Sequence, residues 1–157
     1  MKRQQSGFTM IELIMVIVIL GILAAFALPR FADFSGQART STVEGMAGAL
    51  RSAAAIAHAA QLASANSTGA TSVTLEGQTV TMVDGYPTAN AAGIGAAVQI
   101  DGFTLSTGGT AAGDAITFTP NGFTGTNCLA TYTAADSANA AATARVSRVT
   151  TTTTGCN

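Results

Sequence analysis

Few residues of this 157-residue chain are equipped for chemistry: it has one histidine, two cysteines and eight acidic residues. His58 stands on an alanine-rich stretch with no Cys, Asp or Glu three or four positions away. It therefore lacks a partner for metal ligation or proton transfer and reads as a packing or surface residue. Serine and threonine abound, but there is no G-x-S-x-G elbow and no second histidine to activate a hydroxyl. Asp84, Asp101, Asp114 and Asp136 each have Gly, Ser or Ala nearby. Such acids raise the question of calcium, but none has EF-hand spacing, so they read as turn formers. No catalytic residue, metal site or cofactor is expected, and the chain is not expected to be an enzyme. One acid does stand where it must have a partner. Glu12 is the only charged residue among residues 8–28, and a carboxylate inside a membrane span costs roughly 2.5–3.5 kcal/mol.

The element around Glu12 is a helix. Twenty-one residues, 8–28, reach roughly 31 Å at 1.5 Å each, enough to cross a bilayer's hydrocarbon core. Lys2 and Arg3 precede the run, which keeps that end cytoplasmic. Gly21 and Pro29 mark points where the helix should loosen or kink, because glycine lacks helix propensity and proline lacks a donor. Two processing routes fit the residues. Ala25-Phe26-Ala27 obeys the A-x-A rule for signal cleavage, which would release a secreted soluble binding protein. Cleavage after Gly7 would instead keep the apolar run and free an amine at Phe8. Glu12, four residues on, could neutralise that amine or a neighbour's. Cys128 and Cys156 lie downstream of this segment, a setting that favours a disulfide over two buried thiols.

Gly7-Phe8-Thr9-Met10-Ile11-Glu12, behind a basic leader and ahead of an unbroken apolar helix, resembles the prepilin-peptidase motif of type IV pilins and type II secretion pseudopilins. Met10 stands where leucine is commoner. The resemblance implies cleavage after Gly7, N-methylation of Phe8, and an assembly role for Glu12 toward a neighbour's amine. Gly48-Ala49-Leu50-Arg51-Ser52-Ala53, Gly85-Tyr86-Pro87 and Asn127-Cys128-Leu129-Ala130-Thr131-Tyr132 look like the mannose-sensitive haemagglutinin class of type IVa pilins. That likeness implies a carboxy-terminal disulfide loop closed by Cys128 and Cys156. It also implies a homo-oligomeric helical filament, with the prepilin peptidase, the pilus assembly machinery and the inner membrane as partners. The precursor would sit in the inner membrane, and the mature subunit in a surface pilus serving adhesion, attachment or motility. A secretion pseudopilin is the alternative. It would share the first 30 residues but typically carries a calcium site in place of the disulfide.

Composition agrees with a subunit packed against its own copies: 10% of residues are charged and the net charge is −1. There is no basic stripe with interleaved aromatics, so nucleic acid is not an expected partner. Four segments are expected: a leader at 1–7, an apolar assembly helix at 8–28, an amphipathic half at 29–66, and a β-rich head at 67–157. Phe31, Phe34, Ala38, Met46, Leu50, Ala53, Ala57, Ala60 and Ala63 trace one helical face. The turn formers Asn66-Ser67-Thr68-Gly69 should end the helix; Asn66-Ser67-Thr68 also matches a glycosylation sequon but reads as a turn. In the head, a hairpin is expected at 73–83 around residues 76–78, a turn at 84–87, and a short helix from Thr88 to near Ile100. Strands are expected at 102–106, 115–119, 128–133 and 145–151. The fold class is α+β, with a long helix against a small antiparallel sheet.

Overall fold

A computed structural model describes residues 7–64 and 71–157, with the backbone alone described at 28–33. The apolar run and the alanine-rich stretch form one helix, α1 (Met10–Ala63), of 54 residues. It is roughly 81 Å long at 1.5 Å per residue. It continues through both Gly21 and Pro29. At its far end the Ser64 N–H donates to the carbonyls of Ala60 and Gln61, and the Ser64 hydroxyl to that of Gln61. The expected stop at 66–69 lies outside the described residues.

The second half of α1 buries one stripe: Val43, Met46, Ala47, Leu50, Ala53, Ala54, Ala57 and Gln61. Steps of three and four keep these on one face. The expected face was right at Met46, Leu50, Ala53 and Ala57 but drifted at four other positions, and the Phe31 side chain lies outside the described residues. Phe34, Ala38 and Ala63 are exposed, Ala60 is half-buried, and Val43, Ala47 and Ala54 are core instead. Alanine occupies nearly every side of this helix, so the sequence offered little contrast. The larger Val43, Met46 and Leu50 fix the direction.

Two antiparallel sheets pack against that stripe. The first joins β1 (Ser72–Leu75), β2 (Gln78–Val83) and β3 (Tyr86–Pro87) in chain order. Glu76 and Gly77 turn β1 into β2 with φ of 49° and 84°, and Asp84 and Gly85 turn β2 into β3 with 49° and 85°. Both are two-residue turns with two positive φ values, the type whose twist matches paired strands. The expected turn at 84–87 was therefore too long, since Tyr86 and Pro87 already pair with Val83 and Met82. The expected helix from Thr88 is only α2 (Ile94–Ala97), preceded by turns that Thr88 and Asn90 organise.

The second sheet runs β4 (Phe103–Leu105), β5 (Ala115–Pro120), β6 (Leu129–Thr133) and β7 (Arg148–Thr152), each pairing with the next. The last strand starts three residues later than expected, because a short 3-10 turn (Ala142–Ala144) and its cap occupy the chain before it. Alternation is clear on β5 and β6, where Ile116, Phe118, Ala130 and Tyr132 point inward and are fully buried. These residues meet Val43, Leu50 and Ala54 in the main core. A smaller core holds Ala57, Val73, Val80 and Met82. One buried hydrogen bond ties the two sheets together: the Tyr132 hydroxyl donates to the Pro87 carbonyl at 2.7 Å.

Candidate assembly and processing site

Gly7, Phe8 and Thr9 precede the helix, and Thr9 is its N-cap in extended backbone (φ −79°, ψ 150°). The Glu12 N–H donates to the Thr9 hydroxyl oxygen at 3.3 Å. In return, Glu12 Oε2 accepts from the Thr9 N–H at 2.8 Å and from its hydroxyl at 2.7 Å. This is a capping box, which satisfies donors that the first turn of a helix otherwise leaves bare. Thr9-Met10-Ile11-Glu12 has the S/T-x-x-E spacing that announces such a box, a signal absent from the expectations above. Glu12 thus has a partner within its own chain. The Gly7–Phe8 peptide bond lies outside the helix, whereas Ala25, Phe26 and Ala27 lie well inside it. Lys2 and Arg3 are outside the described residues.

Among the described residues, nothing covers the helix that follows. Met10–Ala27 forms an 18-residue window of mean hydropathy 2.8 with none of it buried. Its large apolar side chains are between 48% and 82% exposed, and Phe8 ahead of it is 93% exposed. That much bare apolar surface needs lipid or other helices around it.

At the other end of the chain, Cys128 and Cys156 form a disulfide across 28 residues, with both cysteines buried. The Arg39 guanidinium donates to the Cys156 carbonyl at 3.2 Å and lies over the Phe123 ring. Gly36 packs against Asn157, where a side chain on the helix would intrude. The disulfide loop is therefore pressed onto α1 at Gly36 and Arg39. His58 is half-buried; its Nδ1–H donates to the Gly85 carbonyl at 2.6 Å and its ring stacks on Tyr86 at 4.3 Å. It braces the β2–β3 turn against the helix. Asp84 accepts from the Ser137 N–H, Asp114 from that of Ala111, and Asp136 from that of Ala138, each holding a loop. Among the described residues, no three of His, Cys, Asp and Glu gather as metal ligands would.

The amino-terminal part of this geometry has a known pattern. The family model for the prokaryotic N-terminal methylation motif matches residues 2–28. Over 120 residues the chain is 33% identical to the fimbrial protein EcpC of Eikenella corrodens, covering 71% of this chain and 78% of that one. The chain belongs to the type IV pilin family. The pilin is also 58% identical over 52 residues to the type IV narrow pilus major component PilA5 of Thermus thermophilus, covering 33% of this chain and 45% of that one. It is 43% identical over 53 residues to the type IV major fimbrial protein FimA of Dichelobacter nodosus, covering 34% of each. The pilin thus spans less than half the length of these last two relatives, in matches about as long as α1. No solved structure matches it.

Proposed function

We propose that this pilin is the major structural subunit of a type IV pilus, cleaved after Gly7, N-methylated at Phe8, and polymerised through residues 8–28. It is a structural protein rather than a catalyst. The observation that carries this reading is the bare apolar helix of α1, joined to a head that folds around the other half of the same helix. In the inner membrane, lipid covers the apolar half; in the filament, the same residues of neighbouring subunits do. Glu12 then passes from its own Thr9 cap to the amine freed on a neighbour's Phe8. Gly21 and Pro29 supply the weak points at which the helix opens within the bundle. The relatives named as pilus or fimbrial major components support the same role.

Glu12→Ala tests the reading. Removing one partner of a desolvated pair costs roughly 3–5 kcal/mol, so the precursor should insert and be cleaved while surface filaments fall more than about ten-fold, the factor that 1.4 kcal/mol already gives. Electron microscopy of sheared cell-surface material, with immunoblots of the membrane fraction, measures both. Normal filament yield from this variant would contradict the pairing.

A further inference from the structure

Two hollows flank the second half of α1. Viewed down the helix at roughly 100° per residue, Arg51, Ala55 and His58 lie on one side of the buried stripe and Ile56 on the other. On the first side is a cleft of about 310 Å³ lined by Arg51, Ala55, His58, Tyr86 and Ser147, with no acidic residue in its wall. The Arg51 guanidinium donates to the Val149 carbonyl at 3.2 Å and makes no ion pair among the described residues. The stack on Tyr86 and the hydrogen bond to Gly85 hold the His58 ring in place. Glu44, the acid nearest in sequence, shares this side of the helix but stands two turns from Arg51, outside the cleft.

The opposite side is different. Ile56, 61% exposed, edges a hollow of about 480 Å³ beside Glu76 and Gln78. Glu76 and Gly77 are the exposed two-residue tip of the β1–β2 hairpin. One flank therefore offers a basic cleft and the other an exposed hairpin tip carrying Glu76, next to an uncovered apolar side chain. Such complementary patches favour contact between copies in one relative orientation. A contact between two such different patches is heterologous, and repeated without closing into a ring it propagates as the open helical array that the filament reading requires.

We propose that the β1–β2 turn of one subunit, led by Glu76, docks into the Arg51–His58 cleft of a second copy of this chain. The inference rests on the filament reading above and adds a head-to-head contact to it. Glu76 supplies the carboxylate that the cleft lacks, and Ile56 is covered at the rim of the same contact.

A cysteine pair tests it in pili assembled from the full chain. With Arg51→Cys and Glu76→Cys in one chain, mild oxidation of sheared filaments should yield a ladder of covalent multimers on a non-reducing gel, and neither single variant should. Filaments that form but give no ladder would overturn the contact. Filaments absent even from wild-type cells would overturn the filament reading, and this contact with it. Charge reversal gives a second readout should the cysteine variants fail to assemble. Arg51→Glu and Glu76→Arg should each lower filament yield, by up to roughly five-fold per contact for a partly exposed pair, and together restore it. Full yield from both single reversals would count against the contact, as would a double reversal no better than either.

Discussion

Tyr132→Phe removes one oxygen from the place where the two sheets meet. The Tyr132 ring is fully buried on β6, and its hydroxyl is the donor to the Pro87 carbonyl of β3. Phenylalanine keeps the packing but strands that carbonyl, which costs about 1–3 kcal/mol. With a urea dependence of roughly 1–3 kcal/mol per molar, the unfolding midpoint near pH 8 should fall by about 1 M. Alkali adds a second signature. Burial pushes the Tyr132 pKa up from its ordinary value near 10. The unfolded phenol then ionises before the folded one, so the unfolded state binds fewer protons above pH 10 and folding stability falls as pH rises. The slope reaches about 1.4 kcal/mol per pH unit, and the variant lacks this contribution. Its deficit against wild type should therefore shrink steadily above pH 10 and close within one or two units. Urea titrations of the full chain in detergent, followed by circular dichroism from pH 8 to about 12, would measure both. Parallel pH slopes for the two proteins would refute the claim that this hydroxyl is buried and neutral in the fold.

Replacing Cys128 and Cys156 together by serine releases a cross-link spanning 28 residues, worth roughly 3–4 kcal/mol on the chain-entropy model. The same titration should show the loss, and reduction of the wild type should reproduce it. Two glycines with positive φ separate strain from collision. Gly122 (φ 75°) has open space where a Cβ would stand, so Gly122→Ala should cost only about 1–2 kcal/mol for the left-handed backbone. At Gly108 (φ 65°) the added carbon would run into the Ala89 carbonyl. Gly108→Ala should therefore lower the urea midpoint well beyond the drop seen for Gly122→Ala.

The amino-terminal half was legible because its signals are strong and local. An uninterrupted apolar run of that length shows itself in adjacent residues alone. The hairpin at Glu76 and the strands of β5 and β6 were legible too, since β-branched alternation bounded by Gly or Asn leaves little choice. Elsewhere the signal was diluted. Alanine around 53–63 suits any side of a helix, so the buried stripe had to be set by what packs on it. Tyr86 and Pro87 looked like part of a turn because two paired residues make too short a strand to carry a period. His58 had no ligand-spaced neighbour in sequence, and its partners Gly85 and Tyr86 come from another element. Arg39 and Gly36 gave no local hint that they receive the disulfide loop, 117 residues away for Arg39.

β7 is an edge strand, and edge strands are where a sheet peels open or recruits a foreign chain. Here β6 and β7 pair antiparallel, with Thr133 opposite Arg148 at one end and Leu129 opposite Thr152 at the other. The intervening loop closes the first end, and the bond from Cys128 to Cys156 closes the second. The strand is tethered at both ends, like a rung bolted on each side. A pull applied beyond Cys156 passes through the disulfide into β6 at the centre of the sheet, bypassing the β6–β7 hydrogen bonds that would otherwise unzip one by one. Force on the carboxy-terminal end of the head therefore cannot peel β7 from the sheet edge while that disulfide stands.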